Sequence, residues 1–430
     1  MRSEYEATEE YARHLDDSDP IAEFRRRFFI PCRDGKELVY FCGNSLGLLP
    51  KEAEVAVHEE LRRWAELAVD GHFHGPLPWF SYHRTVTEYL AELVGAQPHE
   101  VVAMNSLSVN LHLLLASFYR PAGRRTKILM EHYPFPSDLY VAQTHLRWHG
   151  LEPSQHIVLV EPPLDGHLSR TEDICSRIAE FGEELALVFL SGVHYYTGQR
   201  FEIEPIVQAA HAVGAHVILD LAHAIGNVEL QLHAWGVDAA AWCSYKYLNS
   251  GPGGVGGIFV HERHATDRSR VRLGGWWGTP EETRFRLLPE FLPTLGAEGW
   301  QLSNAPVLPL AVHRIALRLF HEAGFELLCA KRDWLSSYAE YWIETVRQAV
   351  PKAPLRLLTP SDLRHRGCQL SLWVGENGQE LYNRLQAAGI VVDWREPNVI
   401  RLAPVPLYNS FRDVYIFGRT LLEAARALWG

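Results

Sequence analysis

The sequence predicts an α/β protein, with a large domain built on a mainly parallel sheet and a smaller C-terminal α/β domain. Two observations predict it. Short apolar runs at Val101–Met104, Thr126–Met130, Leu185–Leu190, Val217–Leu219 and Ala239–Trp242 alternate with helical patterns, and each run meets polar residues at its end. Strands buried on both faces of a parallel sheet read as such continuous apolar runs. The second observation is a hinge-like stretch, LSNAPVLPL at Leu302–Leu310, after which helices and strands resume on a smaller scale. The expected organisation is an N-terminal arm over 1–50, a large domain over 51–305 and a small domain over 306–430.

Taken in order, residues 5–30 carry charges throughout and read as one or two solvated helices. A short strand then enters the turn GNSLGL, where Asn44 and Ser45 offer an amide and a hydroxyl to a ligand or serve only the turn. Helical spacing over 51–69 puts Val55, Leu61, Trp64 and Leu67 on the expected buried side. In the loop GHFHGPLPWF, His72 is a candidate pocket residue, weighed against a solvated loop histidine. A helix over Tyr82–Leu93 leads to the strand at Val101, then Asn105, Ser106 and Ser108 ahead of Leu111, Leu114 and Phe118. A strand, a polar turn and a helix start leave free backbone N–H groups that bind phosphate, or an ordinary cap.

The next strand runs into EHYPFPSD, where Pro134 and Pro136 fix the direction of Phe135 for stacking on a flat ring or for core packing. The run LALVFL ends in SGVHYYTGQR, making Ser191, Tyr195, Tyr196 and Thr197 pocket candidates. After the helix Ile206–Val213 comes the stretch that organises the chain. Its first apolar run ends on Asp220, and its second ends on Ser244, Tyr245 and Lys246, followed by a glycine-rich turn. Ligands of open α/β sheets sit beyond the carboxyl ends of the strands. A lysine amine and a carboxylate facing one crevice are what a pyridoxal phosphate enzyme needs, the amine for a Schiff base and the carboxylate to keep the pyridine nitrogen protonated. The alternative is a surface amine and a helix cap.

Beyond Val260, the paired tryptophans of RLGGWWGTP suggest a contact surface. A helix is expected from about Val312 to Ala323, helices near Phe325–Ala349, strands at CQLSLWV and GIVVDW, and a helix over Glu380–Ala388. The last strand, NVIRLAP, carries Arg401 between apolar neighbours, suited to a carboxylate grip or an internal salt bridge.

Composition narrows the function classes. Of 430 residues, 47% are hydrophobic and 22% charged, as in ordinary globular proteins. A net charge of −11 disfavours nucleic-acid binding. The six cysteines lie far apart, with no Cys/His cluster at metal spacing, so no metal and a cytoplasmic, reduced state are expected. The acidic N-terminus lacks the apolar core of a secretory signal. No apolar run approaches the roughly 20 residues of a membrane span. Repeats, the GxGxxG and P-loop contexts, HExxH and GxSxG are absent.

Together, GNSLGL, NLHLL, FPSD, SGVHYYTGQ, DLAHAIGNVELQLHAWGVD, WCSYKYLN and APVPLYNSF resemble the kynureninase family, in family order from Tyr40 to about Phe411. The resemblance implies the pyridoxal phosphate-dependent transferase fold of type I, a homodimer with shared active sites, and hydrolysis of L-kynurenine to anthranilate and L-alanine. It implies Lys246 as the Schiff-base lysine, Asp220 as the partner of the pyridine nitrogen and His223 as a cofactor contact. Leu107 (through its backbone), Ser108, Ser191 and Tyr245 match phosphate contacts, Phe135 the stacking aromatic, and Asp138 the end of FPSD. Tyr245 is also the candidate proton relay. Trp276 and Asn304 match residues contributed by the neighbouring subunit, and Arg401 the clamp on the substrate carboxylate. Ser45 is a candidate substrate contact, and His72, Ser303 and Asn304 resemble the ring pocket of enzymes that favour 3-hydroxykynurenine. Trp277, GPGG at Gly251–Gly254 and the loop His74–Pro78 depart from the pattern. Another enzyme of this fold, a cysteine desulfurase or aminotransferase, is the alternative, disfavoured because no cysteine sits in a Gly/Ser-rich loop; a non-catalytic binding protein is a third reading.

Overall fold

A computed structural model describes residues 5–162 and 166–430, so the first four residues of the expected arm lie outside the described residues. Seven strands form the large sheet: β1 (Val101–Ala103), β2 (Lys127–Glu131), β3 (Ile157–Val160), β4 (Leu185–Ser191), β5 (His216–Asp220), β6 (Ala239–Trp242) and β7 (Gly257–Val260). Their order is β1-β7-β6-β5-β4-β2-β3, and β7 alone runs antiparallel to its neighbours. The expected apolar runs thus become strands buried on both sides. Successive residues point to opposite faces: Val188, Leu190, Val217 and Leu219 pack on one core with Ile206 and Val207, while Leu187, Phe189 and Ile218 join Leu111, Leu114 and Phe118 on the other. Register aligns the strand ends, with Ser191 beside Asp220 and Asp220 beside Ala241. The polar residues that follow each strand are therefore brought to one edge.

The small domain is an antiparallel sheet of Leu355–Leu357, Leu370–Val374, Val399–Leu402 and Asp393–Arg395, in that order, packed on helices Phe325–Ala349 and Phe411–Trp429. The stretch GIVVDW, expected as one strand, is divided. Its first part, Ile390–Val391, pairs in parallel with Val39–Tyr40 of the arm, and Asp393–Arg395 joins the sheet. The arm contains the helix Glu9–Asp17 and a 3₁₀ segment Ala22–Arg27. It buries Ala12, Val39 and Phe41 in the small core and Ile21, Phe28 and Leu48 in the large one, so it ties the two together.

Two further expectations are corrected. Helix Lys51–Leu67 buries Ala53, Ala56 and Glu60, whereas Val55, Leu61 and Trp64 are exposed and Leu67 is half-buried. Trp79 Nε1 (2.7 Å), Tyr82 Oη (2.9 Å) and Arg63 satisfy the buried Glu60 carboxylate, and this fixes the inward face against the apolar stripe. The helix after the hinge starts at Val307, not Val312, because Pro309 lies in the first turn, where no intrahelical N–H is lost. That helix, Val307–Ala323, contributes Leu310, Ala311, Leu317 and Phe320 to the large core; after the arm residues, the small core resumes at Leu335.

Candidate active site

Beyond the carboxyl ends of β2, β4, β5 and β6 lies a cavity of about 150 Å³. Asp220, His223, Tyr245, Lys246, Leu107, Ser108, Phe135, Asp138 and Ser191 all line it, so nine residues from five segments of the sequence meet there. Lys246 Nζ sits 5.7 Å from the centre of the Phe135 ring, and Tyr195 packs edge-on against that ring at 5.1 Å. Asp220 Oδ1 accepts the Ala222 N–H at 2.7 Å, which holds the carboxylate at the strand end.

Local sequence explains each placement. Leu107 opens the helix Leu107–Phe118 at the cavity wall, and Ser106 at its cap gives no side-chain hydrogen bond to it, so the cap leaves first-turn N–H groups open there. Ser108 and Ser137 hydroxyls are 2.8 Å apart. The turn GNSLGL lies under the lysine: Gly47 N donates to Tyr245 O at 2.8 Å, and a Cβ on Gly47 would collide with the Lys246 carbonyl. Only glycine permits that approach.

Charge is unusually concentrated. Burial raises Asp220, against the pull of Lys246. Asp138 is held well above the carboxylate range, first by burial and then by the Asp220 charge. Burial pushes Glu131 up to about 7, and Glu131 Oε1 accepts Ser191 N–H at 3.1 Å. Burial, then Lys246, keeps His223 well below its ordinary value and therefore neutral. Burial raises the Tyr245 phenol, which stays protonated.

Three buried polar atoms on lining residues, Asp138 Oδ1, Ser191 Oγ and His223 Nδ1, have no hydrogen-bond partner among the described residues. Such atoms are costly unless a ligand meets them. With an amine, a carboxylate, a stacking aromatic and a helix start around the same space, this donor set fits a flat pyridine ring bearing an aldehyde and a phosphate.

Six expected residues lie elsewhere. Arg401 is buried, with Nε donating to Asp393 Oδ1 (2.7 Å), Nη2 to Asp393 Oδ2 and Nη1 to Tyr195 O (2.6 Å), so the internal salt bridge is formed. His72 is half-buried, bonded through Nδ1 to Val69 O and edge-on to Trp79. Ser45, Ser303 and Asn304 are exposed, and Trp276 is half exposed, its Nε1 donating to Arg284 O. Sequence reading assigned no role to Glu131, Val193, Ser137 or Ala222, which also line the cavity. Glu131 carried a usable signal, since it follows Ile128–Met130 as Asp220 follows Val217–Leu219.

Comparison with known proteins agrees with this geometry. Residues 39–287 match the aminotransferase class-V family model, and residues 335–421 match the kynureninase C-terminal domain. Kynureninases from Flavobacterium psychrophilum and Myxococcus xanthus are 48% and 49% identical, covering 97% and 98% of this chain and 98% of each relative. A kynureninase from Xanthomonas campestris pv. campestris is 51% identical over 94% of this chain and 95% of its own. Among solved structures, an apo cysteine desulfurase from Thermococcus onnurineus NA1 superposes with a TM-score of 0.76 at 20% identity, covering 95% of this chain and 99% of that one. A C-DES mutant with glycine covalently linked to its PLP cofactor gives 0.72 at 16% identity, covering 89% and 96%. At those identities the two structures establish the fold alone. The long, high-identity matches decide between the enzymes that share that fold, and the chain belongs to the kynureninase family.

Proposed function

We propose that this chain binds pyridoxal phosphate and hydrolyses L-kynurenine, 3-hydroxy-L-kynurenine or both, yielding anthranilate or 3-hydroxyanthranilate and L-alanine, within cytoplasmic tryptophan catabolism and NAD biosynthesis. The observation that supports this most is the single cavity shared by Lys246 and Asp220, with unpartnered polar atoms around it. In this reading Lys246 would bond the coenzyme aldehyde, Asp220 would keep the pyridine nitrogen protonated, and Phe135, Asp138 and His223 would complete the wall around the ring. Leu107 (backbone), Ser108, Ser191 and Tyr245 hold the phosphate.

When bound, the coenzyme supplies an electron-accepting ring that acidifies the substrate Cα–H. The Lys246 amine would be the base that accepts that proton. The neutral His223 adds no positive charge beside it. Arg401 has five N–H groups; three are used by Asp393 and Tyr195, leaving one on each terminal nitrogen for the substrate carboxylate. Water adds at the Cγ ketone, the Cβ–Cγ bond breaks with its electrons on Cβ, and Tyr245 relays a proton to Cβ. The aryl fragment leaves as the carboxylate.

The same reading makes the protein a homodimer. Trp64, Val55 and Leu61 on helix Lys51–Leu67, together with Trp276, Phe285, Leu287, Leu288 and Phe291, are exposed large apolar residues. Phe73, also exposed, has its ring 6.3 Å from that of Phe285. A surface of this kind marks an interface. Trp276 and Asn304 then reach the site of the other subunit, and His72, Ser303 and Asn304 favour the hydroxylated ring. Ser45 contacts substrate at the edge of GNSLGL. We also place the boundary of the small domain within helix Phe325–Ala349, where the second core resumes after the arm. No helix among the described residues is long and apolar enough to cross a membrane.

Steady-state kinetics on both substrates tests the activity and the ring preference together. The expected result is turnover of both, with a higher kcat/KM for 3-hydroxykynurenine. Equal values would overturn the roles of His72, Ser303 and Asn304, and no turnover of either would overturn the activity.

A further inference from the structure

At the edge of the large sheet opposite the cavity, three segments distant in sequence bring metal-ligating groups together. Glu100 immediately precedes β1, His261 immediately follows β7, and His233 lies on the connection between β5 and β6. Because β7 runs antiparallel to β1, with Phe259 opposite Val101, the end of one strand lies beside the start of the other. Glu100 Oε1 lies 3.0 Å from His233 Nδ1 and 3.6 Å from His261 Nδ1, and the three ligand atoms fall within 4.8 Å of one another. The two imidazoles stack at 4.9 Å with 22° between their planes, so both Nδ1 atoms address the same carboxylate.

We propose that Glu100, His233 and His261 form a binding site for a divalent transition-metal ion of the zinc class. A tetrahedral ion with arms of about 2.0–2.1 Å needs ligand atoms about 3.3 Å apart, and the two N–O separations bracket that value. Two imidazole nitrogens and a carboxylate are ligands such ions favour over calcium or magnesium. Glu100 is fully buried, and backbone N–H groups of Gln97 (2.8 Å) and Glu262 (2.7 Å) fix both its oxygens in orientation. His261 Nδ1 accepts the Arg263 N–H at 3.3 Å, so this nitrogen carries no proton of its own, and an ion would take the place of that long contact. His233 is one-third exposed and gives an ion its way in.

A second group, Asp238 with His216 and His264, resembles this one in composition. It differs in already holding a cation: Arg263 Nη2 is 2.7 Å from Asp238 Oδ1 and Arg263 Nε 3.1 Å from His264 Nε2. Around Glu100 the described contacts are imidazoles and backbone N–H groups alone. The guanidinium excludes an ion from the Asp238 group and leaves the Glu100 group as the site.

Zinc added to chelator-stripped holoenzyme tests this by equilibrium dialysis with metal analysis, by melting temperature, and by the visible spectrum after cobalt substitution. One ion per chain, a raised melting temperature and a tetrahedral cobalt spectrum are expected. His233→Ala, at a partly exposed position, should weaken binding by roughly tenfold or more, since even groups behind a ligand are worth about 10–100-fold. Kynurenine turnover by the metal-free variant should be unchanged, because the site lies across the sheet from the cavity. Absence of a stoichiometric ion in the unaltered protein, or equal affinity in His233→Ala, overturns the proposal.

Discussion

Asp393 holds Arg401 along one edge of its guanidinium, Nε to Oδ1 at 2.7 Å and Nη2 to Oδ2, and so dictates which N–H groups remain for another anion. The pair is formed within the small domain, across two neighbouring strands in register. Arg401 is therefore set in place before any ligand arrives.

Replacing Asp393 by Asn should raise KM for kynurenine about tenfold or more with a smaller fall in kcat, because the defect is in orienting the carboxylate grip. Asp393→Ala should also lower stability by about 3 kcal/mol, since it leaves a buried guanidinium without its partner. Steady-state kinetics and urea unfolding of both variants check this.

Lys246→Ala should remove turnover and the absorbance of the lysine-bound coenzyme together. Spectra of the purified variant with added pyridoxal phosphate, measured beside an activity assay, provide the check. Retained hydrolysis would refute the assignment of the amine.

Glu131 links stability to pH in the coenzyme-free protein. Its folded value, about 7, lies above its ordinary 4.5, so the folded state binds the proton more tightly. The resulting stabilisation is fully present below about pH 4.5 and is lost as pH rises through 7, amounting to on the order of 3 kcal/mol. Glu131→Gln should flatten this part of the stability profile, as urea unfolding at pH 5 and pH 8 will show.

Charged substitutions on the exposed apolar surface should weaken the proposed dimer. Trp64→Lys and Leu287→Lys alter residues that are 62% and 80% exposed in the protomer. Each should leave the melting temperature of the monomer nearly unchanged while weakening the dimer by roughly 100-fold. Sedimentation velocity over a concentration series measures this, and activity should fall with the dimer fraction.

Much of the fold was legible because burial writes itself into sequence. Continuous apolar runs announced β4, β5 and β6 nearly to the residue, and the polar groups after them announced which edge of the sheet would hold chemistry. Where the expectation failed, side chains had a choice of partner. The stripe of Val55, Leu61 and Trp64 satisfied helical periodicity, yet the buried Glu60 and its three donors turned the helix the other way. A periodic pattern says that an apolar face exists, not which surface covers it.

The sequence by itself determined the strands, their polar ends and hence the meeting of Asp220 with Lys246, because local hydrophobic pattern and backbone direction are properties of short segments. Only the tertiary structure decided that Arg401 is held by Asp393, that Glu131 joins the carboxylates of the cavity, and that Glu100, His233 and His261 converge. Those relationships depend on strand order, on the reversed direction of β7 and on the register between neighbours, and such long-range pairings leave no trace in the spacing of residues along the chain.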